Sequence, residues 1–577
     1  MSLQPSYVHK QASFLATCAN ICAFLSLSGA FDYTWALGGM ARSRSPKKSR
    51  RRITNDTHDA EDSHFTPAGF KLVEKWSHGG CSAAFVQDIA QSVVKTYGDL
   101  GAPDVTKLAA IGSSGNQPTH FQRDLLKIPQ LKNLPVPEAR KVEAYVFKNK
   151  GTQTKVEKDT IYYFSICDWW KSLKEHGLLE QLMGSKQSIQ EFWNGVSPND
   201  PKMYQNPVKD VKDYKKKFTP LELHGDAGPH QKHDSCNCYS IRSLLAPADV
   251  SVDESSLLIA AVPQACRVTK KKCKELKIED QFVEDTWDAI WRAMVDDFNE
   301  LFDDALGIIW VATQDCEHLS KDYRLPNHGA DLCCMRCGVN KGSVPITEVG
   351  PNAKFMCHCY SPQQLAKNPL TDHPFLRIKG FSHFTWVYDP MHCKEIGCSS
   401  HSVANMFYDV VFKELRHMKN NPERLRKLNS LIMEAYEEMG VATENRINFA
   451  IDFKHFFTTH KEYPDLMHSA IKARKTRYLV PVAFWLAKHF RDSEMHDEEH
   501  YAARRFFCLK NLNMLYDMED AHRLFLPRDV AKQYMASTHK FLEHYLYLAK
   551  VSMECKTQIG SFQWSFTPPV SFHNPYC

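Results

Sequence analysis

Three aspartates in this chain follow apolar runs of strand length. Asp226 closes residues 220–226 (PLELHGD), where Leu221 and Leu223 alternate as on a half-buried strand. Asp315 closes residues 305–315 (ALGIIWVATQD), and Asp389 closes residues 384–389 (FTWVYD). A carboxylate after such a run is costly unless it meets water or a cation. Two or three of them converging on one sheet edge would hold Mg2+ or Mn2+, hard ions that take oxygen ligands and pair with phosphates. Two such ions about 4 Å apart activate a nucleophile and stabilise the leaving oxygen in phosphoryl transfer. Each aspartate taken alone reads equally well as a strand-ending turn or cap residue. Asp315 and His318, like Asp389 and His392, share a D-x-x-H spacing that lets the histidine orient its aspartate or assist a metal.

A second group is made of soft ligands. Cys334 and Cys337 form a C-x-x-C knuckle, preceded by His328 and Cys333, and Cys357-His358-Cys359 follows twenty residues later. Tetrahedral zinc needs four ligands, and two close pairs separated by a loop supply them. Cys334, Cys337, Cys357 and Cys359 are the candidates, with His358 and His392 competing for places; free core cysteines are the alternative. Nineteen cysteines, an odd number and many beside histidines, indicate reduced thiols in cytosol or nucleus rather than secretory disulfides. There is no Walker loop, no G-x-G-x-x-G, no G-x-S-x-G and no H-E-x-x-H.

The elements that would position these groups belong to a mixed α/β protein. At 577 residues, 43% hydrophobic and 24% charged, the chain is long enough for several domains and is neither disordered throughout nor a polytopic membrane protein. Helical patterns cover residues 70–76 and 84–97. A strand is expected over 160–166, a helix over 169–182, and a turn-rich connector over 199–217. The Gly112–Gly115 stretch is a turn. The last third is helical, with apolar residues at three- and four-residue spacing over 405–418, 422–439, 466–490 and 498–515. Within it, Lys472, Arg474, Lys475 and Arg477 could face phosphates or line a solvated helix face.

Charge is uneven. Arg42, Arg44, Lys47, Lys48, Arg50, Arg51 and Arg52 crowd eleven residues; without these seven charges the net +5 becomes −2, so a nucleic-acid surface on the body must be local. The run reads as a nuclear-localisation arm or a solvated tail. Before it, residues 11–31 carry no charge and have the length of a leader or membrane anchor, but Thr17, Asn20, Ser26 and Ser28 fit an upstream extension of a core starting near Met40 equally well. The expected division is 1–64 (extension and basic arm), 65–215 (α+β region), 216–400 (core with Cys/His insertion) and 401–577 (helical region).

In order along the chain come His224-Gly-Asp226-Ala-Gly-Pro, residues 239–245 (YSIRSLL), the Asp315 segment, His328 through Cys334-x-x-Cys337, and Asp389-Pro-Met-His392 with Gly397 and Asn405. Together with residues 190–194 (QEFWN) and 562–569 (FQWSFTPP), this series resembles transposon-derived proteins of the CACTA (En/Spm) transposase type, particularly the expanded copies of dinoflagellate genomes, over roughly residues 160–575. The resemblance implies an RNase H-like mixed-sheet core bearing a Cys/His zinc-knuckle insertion, with a helical region after it. It also implies Mg2+-dependent (or Mn2+-dependent) DNA strand cleavage and transfer in the nucleus. Asp226 and Asp315 would be the first two catalytic carboxylates and Mg2+ ligands, and structural Zn2+ would sit on the cysteines. DNA is the implied partner, with self-association open, and no small-molecule substrate or membrane is implied. A third acid is expected near position 475, where Lys475 stands; Asp389 and Glu434 are the substitutes. A catalytically inactive, domesticated or decayed DNA-binding relative is the alternative.

Overall fold

The computed structural model describes residues 83–97, 105–106, 109, 137–150, 153–231, 234–246, 255–278, 284–314, 316–326, 331–332, 334–340, 343, 353–457, 464–491, 501–522 and 525–554. The basic arm, the apolar residues 11–31, the 70–76 pattern, the Gly112–Gly115 turn, Asp315, His328, Cys333 and residues 562–569 lie outside them. Among the described residues no helix is long and apolar enough to cross a membrane. The protein is a mixed α/β fold with one seven-stranded sheet and a helical C-terminal region, and the chain divides into two compact units.

The first unit (Met1–Pro198, Gln205–Ala312, Pro374–Phe381) holds most of the sheet. A helix α1 (Ala83–Tyr97) precedes a hairpin of β1 (Arg140–Lys150) and β2 (Gln153–Tyr163), paired antiparallel along its whole length. Helices α2 (Ile166–Glu175), α3 (Leu179–Met183) and α4 (Lys186–Gly195) follow. The single helix expected over 169–182 is therefore two, because Gly177 turns the chain at φ +71°. Then β3 (Thr219–Gln231), β4 (Asp234–Ser243) and β5 (Leu257–Pro263) form an antiparallel meander, and β5 also pairs with β2 at Tyr163 and Ala260. Every residue of β5 is buried, as a strand covered on both faces should be.

A short helix α5 (Lys270–Glu275) and a long one, α6 (Thr286–Asp303), lead to β6 (Gly307–Gln314). Asp285 caps α6 by accepting from Trp287 N, and the helix buries Trp287, Ile290, Trp291, Met294, Phe298 and Leu301. Thr219 N donates to Leu306 O (3.0 Å), so β3 and β6 start side by side and run parallel. Two buried indoles are satisfied where the layers meet: Trp169 donates to Leu258 O at 3.0 Å and Trp193 to Phe218 O at 2.7 Å. Gly380 sits at φ +81°, and a Cβ there would lie 2.5 Å from Ile308 Cδ1.

The second unit (Asn199–Tyr204, Thr313–His373, Ser382–Cys577) carries the end of β6, helix α7 (Cys316–Lys321), the short strand β7 (Trp386–Tyr388) and the helical region. The complete sheet order is β1-β2-β5-β4-β3-β6-β7. A π-helical segment (Met391–Ser399) continues directly into α8 (Ser400–Asp409) and a second π segment (Val410–Glu414). Helices α9 (Asn421–Glu438), α10 (Ala473–His489), α11 (Tyr501–Ala521) and α12 (Arg528–Glu554) complete a bundle around one apolar core that includes Phe407, Leu431, Val480, Leu512 and Phe541. Inside that core Arg505 is fully buried and pairs with Asp409 (3.0 Å) and Glu414 (2.6 Å).

Candidate functional site

The three segments are strands, β3, β6 and β7, and these are neighbours in the sheet, but Asp226 does not end its strand: β3 runs on, paired with β4, to Gln231. Asp226 is exposed on β3, beyond the alternating Leu221 and Leu223, whose side chains are fully buried. Its direct partner across the ladder is Cys238 on β4. The Cys238 thiol is pulled down by a hydrogen bond from Cys236, against burial and the Asp226 charge, which push it up. Asp315 follows the last residue of β6 and is outside the described residues.

Asp389 follows β7 and is largely buried. Its backbone N–H donates to Gln314 O (3.0 Å), fixing the end of β7 against the end of β6. One carboxylate oxygen accepts from Met391 N at 2.9 Å, and the other meets His392 Nδ1 at 2.5 Å. The D-x-x-H spacing thus gives a carboxylate–imidazole pair at the start of the π segment, and His392 is engaged there. Proline at 390 is compatible with this start because the first N–H of a helix has no partner to lose.

The cysteines expected to bind zinc are partly gathered. Cys337 and Cys359 face each other in an isolated antiparallel bridge. On either side of it Gly338 N donates to His358 O and Tyr360 N to Arg336 O, both at 2.9 Å. Arg336 N donates to Cys334 Sγ at 3.2 Å, which folds the knuckle so that two thiols point together. The Cys337 thiol is pushed well up by Cys334 beside it, by burial and, further off, by Cys359. Cys357, on the same 3-10 turn as His358, is exposed. Among the described residues no group of three or more His, Cys, Asp or Glu side chains stands ready-made to hold a metal ion.

Arg336, between the two knuckle cysteines, is a residue that sequence reasoning missed. It is buried, stacks on the Phe384 ring (4.8 Å) and donates to the carbonyls of His383 (2.6 Å), Phe384 (3.2 Å) and Trp386. The knuckle is thereby bolted to the chain entering β7, three to six residues ahead of Asp389. The signal was an arginine inside a C-x-x-C, a position that needs no charge for metal binding.

The basic cluster of α10 is largely committed elsewhere. Arg477 pairs with Asp520 (2.5 Å), Glu395 (3.5 Å) and Glu519 (3.7 Å). Lys475 donates to the carbonyls of Glu444 and Arg446, and Arg474 to Asn445 Oδ1 (3.1 Å). Lys472 is exposed at the helix start. Beside Arg477, the buried Lys394 binds Glu519 and lies 3.9 Å from the Tyr516 ring centroid. Burial lowers the Lys394 pKa and raises that of Glu395. Glu434 is exposed on α9. Compared with known proteins, the chain matches no family model and no curated sequence.

Proposed function

We propose that this protein is a transposase-derived nuclease with an RNase H-like core, which cleaves and transfers DNA strands in the nucleus with Mg2+ or Mn2+. The observation that carries the reading is strand order. The run β5-β4-β3-β6-β7 has an antiparallel three-strand meander, a helix α6 crossing back, and two further strands added beside the first. That strand order supports the RNase H-like reading, with Asp226 on β3, Asp389 directly after β7, and Asp315 next in sequence after β6. Asp389 is favoured over Glu434 as third carboxylate because it belongs to that sheet. These acids would hold the metal ions, and a water or a DNA 3′-hydroxyl would attack the phosphodiester. Cys334, Cys337, Cys357 and Cys359 would supply a structural zinc if the loop between the two pairs draws them together, since among the described residues they do not already stand as a set of three or more ligands.

A binding protein without chemistry is the second reading. It is favoured by the Asp389 carboxylate, both of whose oxygens already have protein partners. Nicking of supercoiled plasmid by the full chain with Mn2+ decides between them. The nuclease reading expects metal-dependent nicking that falls ~100-fold or more in Asp226→Asn, since metal stabilisation contributes several kcal/mol. Absence of nicking in the wild type, or nicking unchanged in Asp226→Asn, overturns it.

A further inference from the structure

The β1–β2 hairpin and α5 form a face with a different composition from the rest of the first unit. On the antiparallel ladder Lys141 stands directly opposite Tyr162, and Tyr145 directly opposite Lys158. Both lysine amines lie over the facing rings, at 6.0 Å and 5.4 Å from the centroids. Residues 141, 145 and 147 share one face of β1 by the two-residue period. On that same face Phe147 packs with Val268 and Cys273, flanked by Tyr145, Val156 and Ile278, so α5 is seated there. Lys272 lies over the Phe147 ring (4.7 Å) and anchors the helix by donating to Gln264 O and Ala265 O. The other α5 lysines, Lys270, Lys271 and Lys274, are exposed, as is Lys277 just beyond it. The acids near these lysines are Glu143, bonded to Thr160, Glu275, 4.0 Å from Lys271, and Glu284, which pairs with Arg292 and also feels the Lys158 charge.

We propose that this face is a docking surface for the phosphate backbone of duplex DNA, holding the substrate independently of sequence. The inference deepens the nuclease reading and rests on it for the choice of DNA as occupant. Charge complementarity is the first argument: a cluster of exposed lysines stands on a chain body whose charge is otherwise slightly negative. Preorganisation is the second. Lysine stems laid on tyrosine rings lose less freedom when they meet a phosphate than stems free in water. Dimensions are the third. Four residues of strand separate the two lysine–tyrosine pairs, about 14 Å, close to the ~12 Å width of the major groove. One lysine can therefore meet each of two phosphate rows.

The test is fluorescence anisotropy of the full chain with a labelled 30-base-pair duplex in EDTA, over a range of salt. EDTA removes cleavage from the readout, so a chain that binds but never nicks sinks the nuclease reading and leaves this surface standing. The triple variant Lys270→Gln/Lys271→Gln/Lys274→Gln removes three exposed amines while leaving Lys272 in place. The expected result is binding at least about tenfold weaker at 100 mM salt, with the log–log salt slope reduced by about 3. The matching arginine triple should restore both, which separates charge from fold. Lys212→Gln/Lys216→Gln/Lys217→Gln removes equal charge from another exposed stretch and should leave the slope unchanged. Unchanged binding in the α5 triple, or an equal loss in the second triple, overturns the assignment. Poly-glutamate binding as tightly as the duplex, with the same response to the α5 triple, would make an acidic protein the occupant and overturn DNA.

Discussion

Replacing Arg336 should cost the second unit a large share of its stability and disturb the strand that leads to Asp389. The guanidinium is 4% exposed and donates to three carbonyls, those of His383, Phe384 and Trp386. A hydrogen bond to a charged group contributes about 1.5–3 kcal/mol net. Three would sum to about 4.5–9 kcal/mol, but desolvating the cation offsets several kcal/mol of that. In Arg336→Met the cation is gone and three carbonyls in a buried segment lose their donor; the expected net loss is about 3–5 kcal/mol. For a unit of this size that is a fall in Tm on the order of 10 °C. Arg336→Lys keeps the charge, but one ammonium cannot serve three carbonyls spread along residues 383–386, so about 2 kcal/mol should be lost. Urea unfolding followed by tryptophan fluorescence reads the order Arg, Lys, Met, because Trp386 is fully buried in that segment. If Arg336→Met lies within 1 kcal/mol of the wild type, or lysine matches arginine, the carbonyl clamp is not what holds β7.

Three further outcomes are expected. Cys337→Ser or Cys359→Ser should lower the zinc content of purified protein from about one atom per chain toward zero by elemental analysis, since each removes one of only four tetrahedral places; full zinc in both variants would remove the zinc assignment. Gly380→Ala should destabilise the first unit by about 1–3 kcal/mol, because the left-handed φ and the 2.5 Å approach to Ile308 Cδ1 both oppose a Cβ; an unchanged melting curve would contradict the close approach. His383 is buried beside Arg336, and burial first, then that charge, lowers its pKa from 6.5 to about 4. The folded state therefore refuses a proton that the unfolded chain takes up, so stability complete above pH 6.5 is lost as pH falls toward 4, by about 3 kcal/mol in all. In His383→Phe that part of the stability–pH curve should flatten; a slope identical to wild type would mean His383 titrates normally.

The strands that carry the aspartates were legible because each is a short apolar run ending in a carboxylate, a pattern local to six to eleven residues. The Cys334–Cys337 spacing was legible for the same reason. What was not legible depends on distant partners. Nothing near Arg477 announces Glu395, Glu519 and Asp520, and its charge alone looked available for phosphate. His392 had two plausible neighbours, thiols or Asp389, and only the π-helical start, with Met391 N on the same carboxylate, decides between them. The strand expected over 160–166 ends at Tyr163 instead because the chain turns at Ser165, the residue before α2. Strand β5 and helix α6 carry no motif that singles them out, yet they help fix the sheet order on which the functional reading stands.

That dependence also explains why Lys475 need not be a lost catalytic acid. Its amine is held by the carbonyls of Glu444 and Arg446 and thereby closes the loop between α9 and α10 onto the start of α10. A glutamate at this position would meet two carbonyl oxygens, acceptor against acceptor, and could keep neither contact without a proton or a bound cation. Lysine here is therefore consistent with its own surroundings, whichever acid completes the metal set. Lys475→Glu provides the check. It should destabilise the helical unit by about 1 kcal/mol, the cost of losing a hydrogen bond to one exposed and one half-buried carbonyl, and should not raise metal-dependent nicking. Gain of nicking in Lys475→Glu would show that position 475 faces the metal and would move the third carboxylate from Asp389 to α10.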